Sequence, residues 1–296
     1  MSRLLSPVAA PVRELLSGTR DGQSQVASAI AQPAGAPGWF APGDAIWTVH
    51  GSVATFVGGI RALLLQALHP LALAGVQQHS SYRDDPFGRL QRTGAFIAAT
   101  TFGSVALAEQ TVAAVTRLHR SVRGNAADGR PYSAQDPELL LWVHTTLTDS
   151  MLASYLAFGR DGAVDPDAYV ADMAVVGRAM GVKDPPTTLA QLAAVLAGFT
   201  PDLRSDAASA ATAAFVMHPP LPLALRPGYA VLAAGAMDLL LPQYQVLLGR
   251  QPRSPLGTAA VRRACAGLLA LLRAALVQSP AKAAGERRLG SVAPPR

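Results

Sequence analysis

The chain has 296 residues, half of them hydrophobic and 15% charged, with a formal net charge of +6. That length supports a sizeable core, and one domain is expected. Much of the basic excess sits in residues 279–296, where Lys282, Arg287, Arg288 and Arg296 face only Glu286, so no phosphate-binding groove and no nucleic-acid partner are expected. Cys265 is the single cysteine, which excludes an intramolecular disulfide partner and any multi-cysteine zinc or iron–sulfur site.

Residues 1–40 are rich in Ala, Pro, Gly and Ser and are expected to form a partly mobile arm, followed by one helical domain over 41–278. The first residues lack the basic, apolar, small-residue order of a secretory signal, so a cytoplasmic location is expected. Helical patterns recur at 44–68, 71–79, 86–102, 104–123, 136–158, 165–181, 187–198, 205–216, 227–249 and 257–277. Asp44 reads as a cap, and Asp136-Pro137-Glu138 as cap, first-turn proline and first-turn acid, a device repeated at Asp165-Pro166 and Asp184-Pro185. Gly103, Gly124 and Gly159 read as helix ends. Period-two alternation is scarce, and the fold class expected is all-α. Long uncharged stretches are interrupted at His69-Pro70, Gln77-Gln78, His218-Pro219-Pro220 and Asp238, which favours buried core helices over membrane spans. Residues 279–296 read as a basic disordered tail, able at most to touch an anionic membrane surface weakly.

Histidine carries most of the chemical information. In the segment 104–123, Val105, Ala108, Val112, Val115 and Val122 share one stripe, His119 falls on it, and Arg123 follows one turn later. An inward neutral imidazole with a guanidinium nearby suits a haem, the Arg pairing a propionate; a hydrogen-bonded core histidine fits the same pattern. In 136–158, Leu140, His144, Leu147 and Met151 form a second stripe beside Trp142, with Asp149 as a strained candidate to orient His144. On 86–102, Arg89, Arg92, Thr93 and Phe96 share a face, and the arginines need an anionic partner if that face is buried. His69, just before Pro70, is either a pocket lining or a cap for a free carbonyl, whereas His50, His79 and His218 look less constrained. No phosphate loop, His-Glu-x-x-His, paired Glu-x-x-His or Gly-x-Ser-x-Gly motif is present.

Four strings in order, Arg61-x4-Gln66-Ala-Leu-His69-Pro70, Asp85-Pro86-x2-Arg89-x2-Arg92-Thr93, Leu118-His119-x3-Arg123-Gly124 and Tyr132-x3-Asp136-Pro137-x3-Leu141-Trp142-Val143-His144, resemble the MpaB-like oxygenases, which include the latex clearing proteins. The resemblance implies a b-type haem in a globin-like helical core. His119 would be the axial ligand with His144 as the alternative, and His69, Arg92, Trp142 and Arg123 would lie around the cofactor. Arg89, Thr93 and His144 would serve O2 and the substrate. The rubber-cleaving branch carries Lys where this chain has Arg92, and a guanidinium is a poor iron ligand. The implied activity is oxygenation of an apolar, isoprenoid or lipid-like substrate with O2, with cleavage of a C=C bond to carbonyl products. A haem sensor or carrier without turnover, and a cofactor-free binder of apolar ligands or membrane surfaces, are the competing readings.

Overall fold

A computed structural model describes residues 25–80, 83–276 and 279–290. Among these there are fourteen α-helices and one small two-stranded sheet, so the fold is all-α as expected. In chain order the elements are α1 (Gln25–Ile30), α2 (Ala45–Gly51), α3 (Thr55–Gln66), α4 (Pro70–His79), α5 (Pro86–Phe102), α6 (Val105–His119), β1 (Arg123–Asn125) and β2 (Pro131–Ser133). There follow α7 (Pro137–Phe158), α8 (Pro166–Ala179), α9 (Leu189–Gly198), α10 (Ala207–Met217), α11 (Arg226–Asp238), α12 (Pro242–Leu247), α13 (Pro255–Leu276) and α14 (Pro280–Arg288).

α7 is the axle of the core. It is buried nearly all round, and its hydroxyls turn back onto its own carbonyls: Thr145 donates to the Leu141 oxygen at 2.8 Å, Thr146 to Trp142 at 2.8 Å and Thr148 to His144 at 2.8 Å. These three hydroxyls thereby enter the core with their donors satisfied. α3 lies tightly against α7 at Gly58, where a Cβ would fall 2.7 Å from Ser154 Oγ and 2.8 Å from Met151 Sδ. Around this pair pack α8, α9, α10 and α11, with α13 beyond α11.

Several boundaries differ from the sequence reading. The segment 44–68 is two helices, because Ser52 is extended (φ −84°, ψ 145°) and the Thr55 hydroxyl bonds its carbonyl at 2.8 Å. Asp44 makes no cap; its carboxylate accepts from the Ala41 N–H at 2.8 Å. Asp136 and Asp165 do cap their helices, but Asp184 has φ 48° and the following helix is capped by Thr188. The segment 227–249 breaks ahead of Pro242, which forces Leu241 into an extended conformation. Of the expected mobile arm, residues 1–24 lie outside the described residues, whereas 25–40 form α1 and a packed segment ending at buried Phe40. The expected disordered tail is corrected over 279–290: α14 is capped by Ser279 and buries Ala284, Gly285 and Arg288. Among the described residues no single helix is long and apolar enough to cross a membrane; α2 and α3 pass that test together by length and composition, but meet at 91°.

Candidate functional site

α5 and α6 form a helical hairpin that turns at Gly103–Ser104, and each is the other's main packing partner. Asp85 caps α5, its Oδ1 accepting from the Gly88 N–H at 2.8 Å; Ser104 caps α6, accepting from the Leu107 N–H at 3.3 Å. With 17 and 15 residues, the arms run about 25 and 22 Å from the turn. Arg89, Arg92 and Thr93 lie in the first turns of α5 and His119 in the last turn of α6, so both sit on the arms away from the Gly103–Ser104 turn.

The arginines do not face a buried void. Arg89 donates to Ser80 Oγ at 2.8 Å, and Arg92, 66% exposed, pairs with Asp85 at 3.1 Å. Exposed Thr93 donates to the Arg89 carbonyl at 3.0 Å, and Phe96 is half-buried against the core. His119 is half-buried, and the loss of solvent lowers its pKa below 6.5, so the ring is neutral and able to bind a metal near neutral pH.

Arg123 is not one helical turn beyond His119. The helix stops there, the Val122 N–H bonds the His119 carbonyl at 3.1 Å, and exposed Arg123 opens β1. The cause is the β1–β2 hairpin, in which Gly124 opposite Tyr132 is a strand residue rather than a helix end; a Cβ there would come within 2.8 Å of the Tyr132 hydroxyl. The strand is tied to α4 by His79, whose Nε2 donates to the Arg123 carbonyl at 3.1 Å.

His144 is buried, and desolvation pushes its pKa down to about 4. Its Nε2 has no hydrogen-bond partner. The ring is pressed onto the backbone of α8: a Cβ on Gly177 would fall 2.8 Å from its Cε1 and 3.0 Å from its Nε2. A macrocycle could reach that nitrogen only if α8 moved away. Asp149 does not orient His144; it pairs with Arg61 at 2.6 Å.

His69 caps α4, its Nδ1 accepting from the Ala72 N–H at 3.4 Å, so it serves an amide and not a carbonyl. Its ring centroid lies 5.7 Å from that of Trp142 and 6.1 Å from that of Phe199, and burial lowers its pKa. Trp142 is fully buried with an unpartnered Nε1. His50, which looks unconstrained in the sequence, is a buried hydrogen-bonded ring. It is buried between the Thr101 hydroxyl (2.8 Å from Nδ1) and the Tyr169 hydroxyl (3.0 Å from Nε2), with its pKa lowered to about 3 by burial. Those partners lie 51 and 119 residues away, and no local pattern announces them.

Among the described residues no group of three or more His, Cys, Asp or Glu side chains could hold a bare metal ion. A haem asks less of the protein, namely one neutral imidazole and apolar faces. His119 meets the first requirement, and its own helix carries Leu118 exposed and Val115 half-buried within one turn of it. His119 thus fits a macrocycle by access, and His144 does not. A cleft of about 410 Å³ between α8 and α9, lined by Arg178, Asp184, Pro186 and Gln191, contains none of these residues.

Fold and site together define an all-α protein whose accessible, uncharged imidazole stands at the open end of a helical hairpin. The family model of the ER-bound oxygenase mpaB/B′ and rubber oxygenase catalytic domain matches residues 47–274, and the chain belongs to that family. No curated protein and no solved structure matches it. The family is one of oxygenases, whose reactions take O2 and a small-molecule substrate.

Proposed function

We propose that this protein is a haem b-dependent oxygenase that uses O2 on an apolar, isoprenoid- or lipid-like substrate and cleaves a C=C bond to carbonyl products. The observation that carries the reading is His119: neutral, half-buried and at the end of a helix that packs on the helix carrying Arg89 and Thr93, in a chain of an oxygenase family. Haem b, when bound, supplies the redox chemistry that activates O2. His119 would hold it through one ring nitrogen. The exposed cations Arg92 and Arg123 are suited to pair its propionates. Arg92 stays protonated and would not ligate the iron, leaving His119 as the residue that would hold it. Arg89 and Thr93 orient the polar end of the reactants, while Leu90, Phe96 and Leu118 give the substrate an apolar surface and exclude water from it.

Colour is the test. Protein expressed with ample haem should show a Soret band that His119→Ala abolishes with the far-UV circular dichroism intact, while His144→Ala retains it. Absence of the band from the unmodified chain sinks the cofactor assignment. Its loss in His144→Ala alone would move the ligand to α7. Oxygen uptake with isoprenoid substrates then separates turnover from mere haem carriage.

A further inference from the structure

We infer that the two segments flanking the family domain, residues 25–40 and α14, form a clamp on the hinge of the α5–α6 hairpin, with Arg288 as its positioning residue. Both segments lie outside the matched span of 47–274. Arg288 is 2% exposed, and its guanidinium donates to the carbonyls of Ala36, Phe102 (2.9 Å) and Gly103 (3.1 Å). One side chain near the C-terminus therefore ties the N-terminal segment to the hairpin turn. The backbone repeats the link: the Gly35 N–H bonds the Arg288 carbonyl at 2.6 Å, and the Val105 N–H bonds the Pro37 carbonyl at 2.9 Å. Packing there is close enough to require glycine twice. A Cβ at Gly38 would fall 2.6 Å from the Gly103 oxygen, and one at Gly285 would fall 2.9 Å from both the Phe102 oxygen and the Trp47 ring.

A buried guanidinium is costly to desolvate, and three carbonyls converging on it use its fork of donors to join segments far apart in the chain. The hairpin needs such a fixture. α6 packs mainly on α5, and no described residue of α5 before Ala98 is buried, so the arms depend on their hinge end. With arms of about 22 Å, a rotation of about 5° at Gly103 moves the open end by about 2 Å. The clamp therefore sets where His119 stands relative to Arg89 and Thr93. That this spacing serves a haem rests on the function proposed above; the mechanical claim does not.

Hydrogen exchange on the full chain without haem tests the mechanical claim by itself. Arg288→Met, and independently Gly38→Ala, should speed exchange of the 86–119 amides by about tenfold or more, leave α3 and α7 unchanged, and be partly rescued in Arg288→Lys. Unchanged hairpin protection, or a loss spread evenly over α3 and α7, overturns the clamp. Should Arg288→Met fail to fold, Gly38→Ala and Arg288→Lys decide by the same criteria. Where the chain binds haem, both variants should release it several-fold faster to an apo-globin acceptor; unchanged release beside accelerated exchange overturns the positioning role. A chain that never binds haem defeats the proposed function and leaves the exchange result standing.

Discussion

Arg61 is a charge held inside the core, 4% exposed, with Nη1 on Asp149 (2.6 Å) and Ser150 Oγ (2.8 Å) and Nε on the Leu239 carbonyl at 3.2 Å. The two halves of the pair are unequally shielded, since Asp149 keeps about a quarter of its side chain in solvent. Asp149→Asn, which strands the buried cation, should cost roughly 3 kcal/mol or more, and Arg61→Met, which leaves an anion that water can reach, should cost less. Urea unfolding of both variants checks the order; equal or reversed losses would show that the pair is not governed by desolvation. At this scale the sequence offered identities and faces. The helical stripe placed His144 inward correctly, but it also suggested Asp149 as its companion. Which ring finds a partner depends on groups brought in by other helices, as Tyr169 is to His50.

Helix starts written as Asp-Pro were largely legible, because the cap and first-turn proline act within four residues. Ends were less so. The period continues from 104 to 123, yet α6 stops at His119, since three-residue strands are too short to show alternation and their pairing is decided by Tyr132. That boundary removed Arg123 from the helix face on which the spacing had placed it. The α3–α7 crossing is a second tertiary constraint that no local signal reveals. Gly58→Leu should destabilise the protein by about 1–3 kcal/mol through overpacking against Met151 and Ser154. Gly59→Ala, one residue along and with open space around its Cβ, should be neutral or slightly stabilising through helix propensity. Thermal melts of the two variants form a matched control, and similar losses in both would discount the close approach.

Across the whole molecule, stability is coupled to pH through the buried imidazoles. Burial holds the pKa of His144 at about 4 and of His50 at about 3, against 6.5 for the free side chain. Both rings are neutral in the folded state, so below pH 6.5 the unfolded chain takes up protons that the folded chain does not. Their contribution is intact above pH 6.5 and falls as the pH drops, until pH 4 for His144 and pH 3 for His50. Each contributes a slope of about 1.4 kcal/mol per pH unit. Urea midpoints at pH 7.5 and pH 5 should therefore separate clearly. His144→Gln should flatten the dependence by about one histidine's share, and an unchanged slope in that variant would show that its ring is protonated while folded.

Composition, helical period, Asp-Pro starts and four ordered strings were enough to define an all-α chain of the mpaB and rubber oxygenase family, because each acts over a few residues or is a matter of residue identity alone. Three features were decided only by the tertiary structure: which histidine is accessible and which is sealed under Gly177, the replacement of a helical Arg123 by a strand residue, and the folding of a basic tail into a helix that grips the Gly103 hinge. All three turn on contacts between segments far apart in sequence. Desolvation, steric fit and hydrogen-bond satisfaction at such contacts take their values only when the chain has closed on itself.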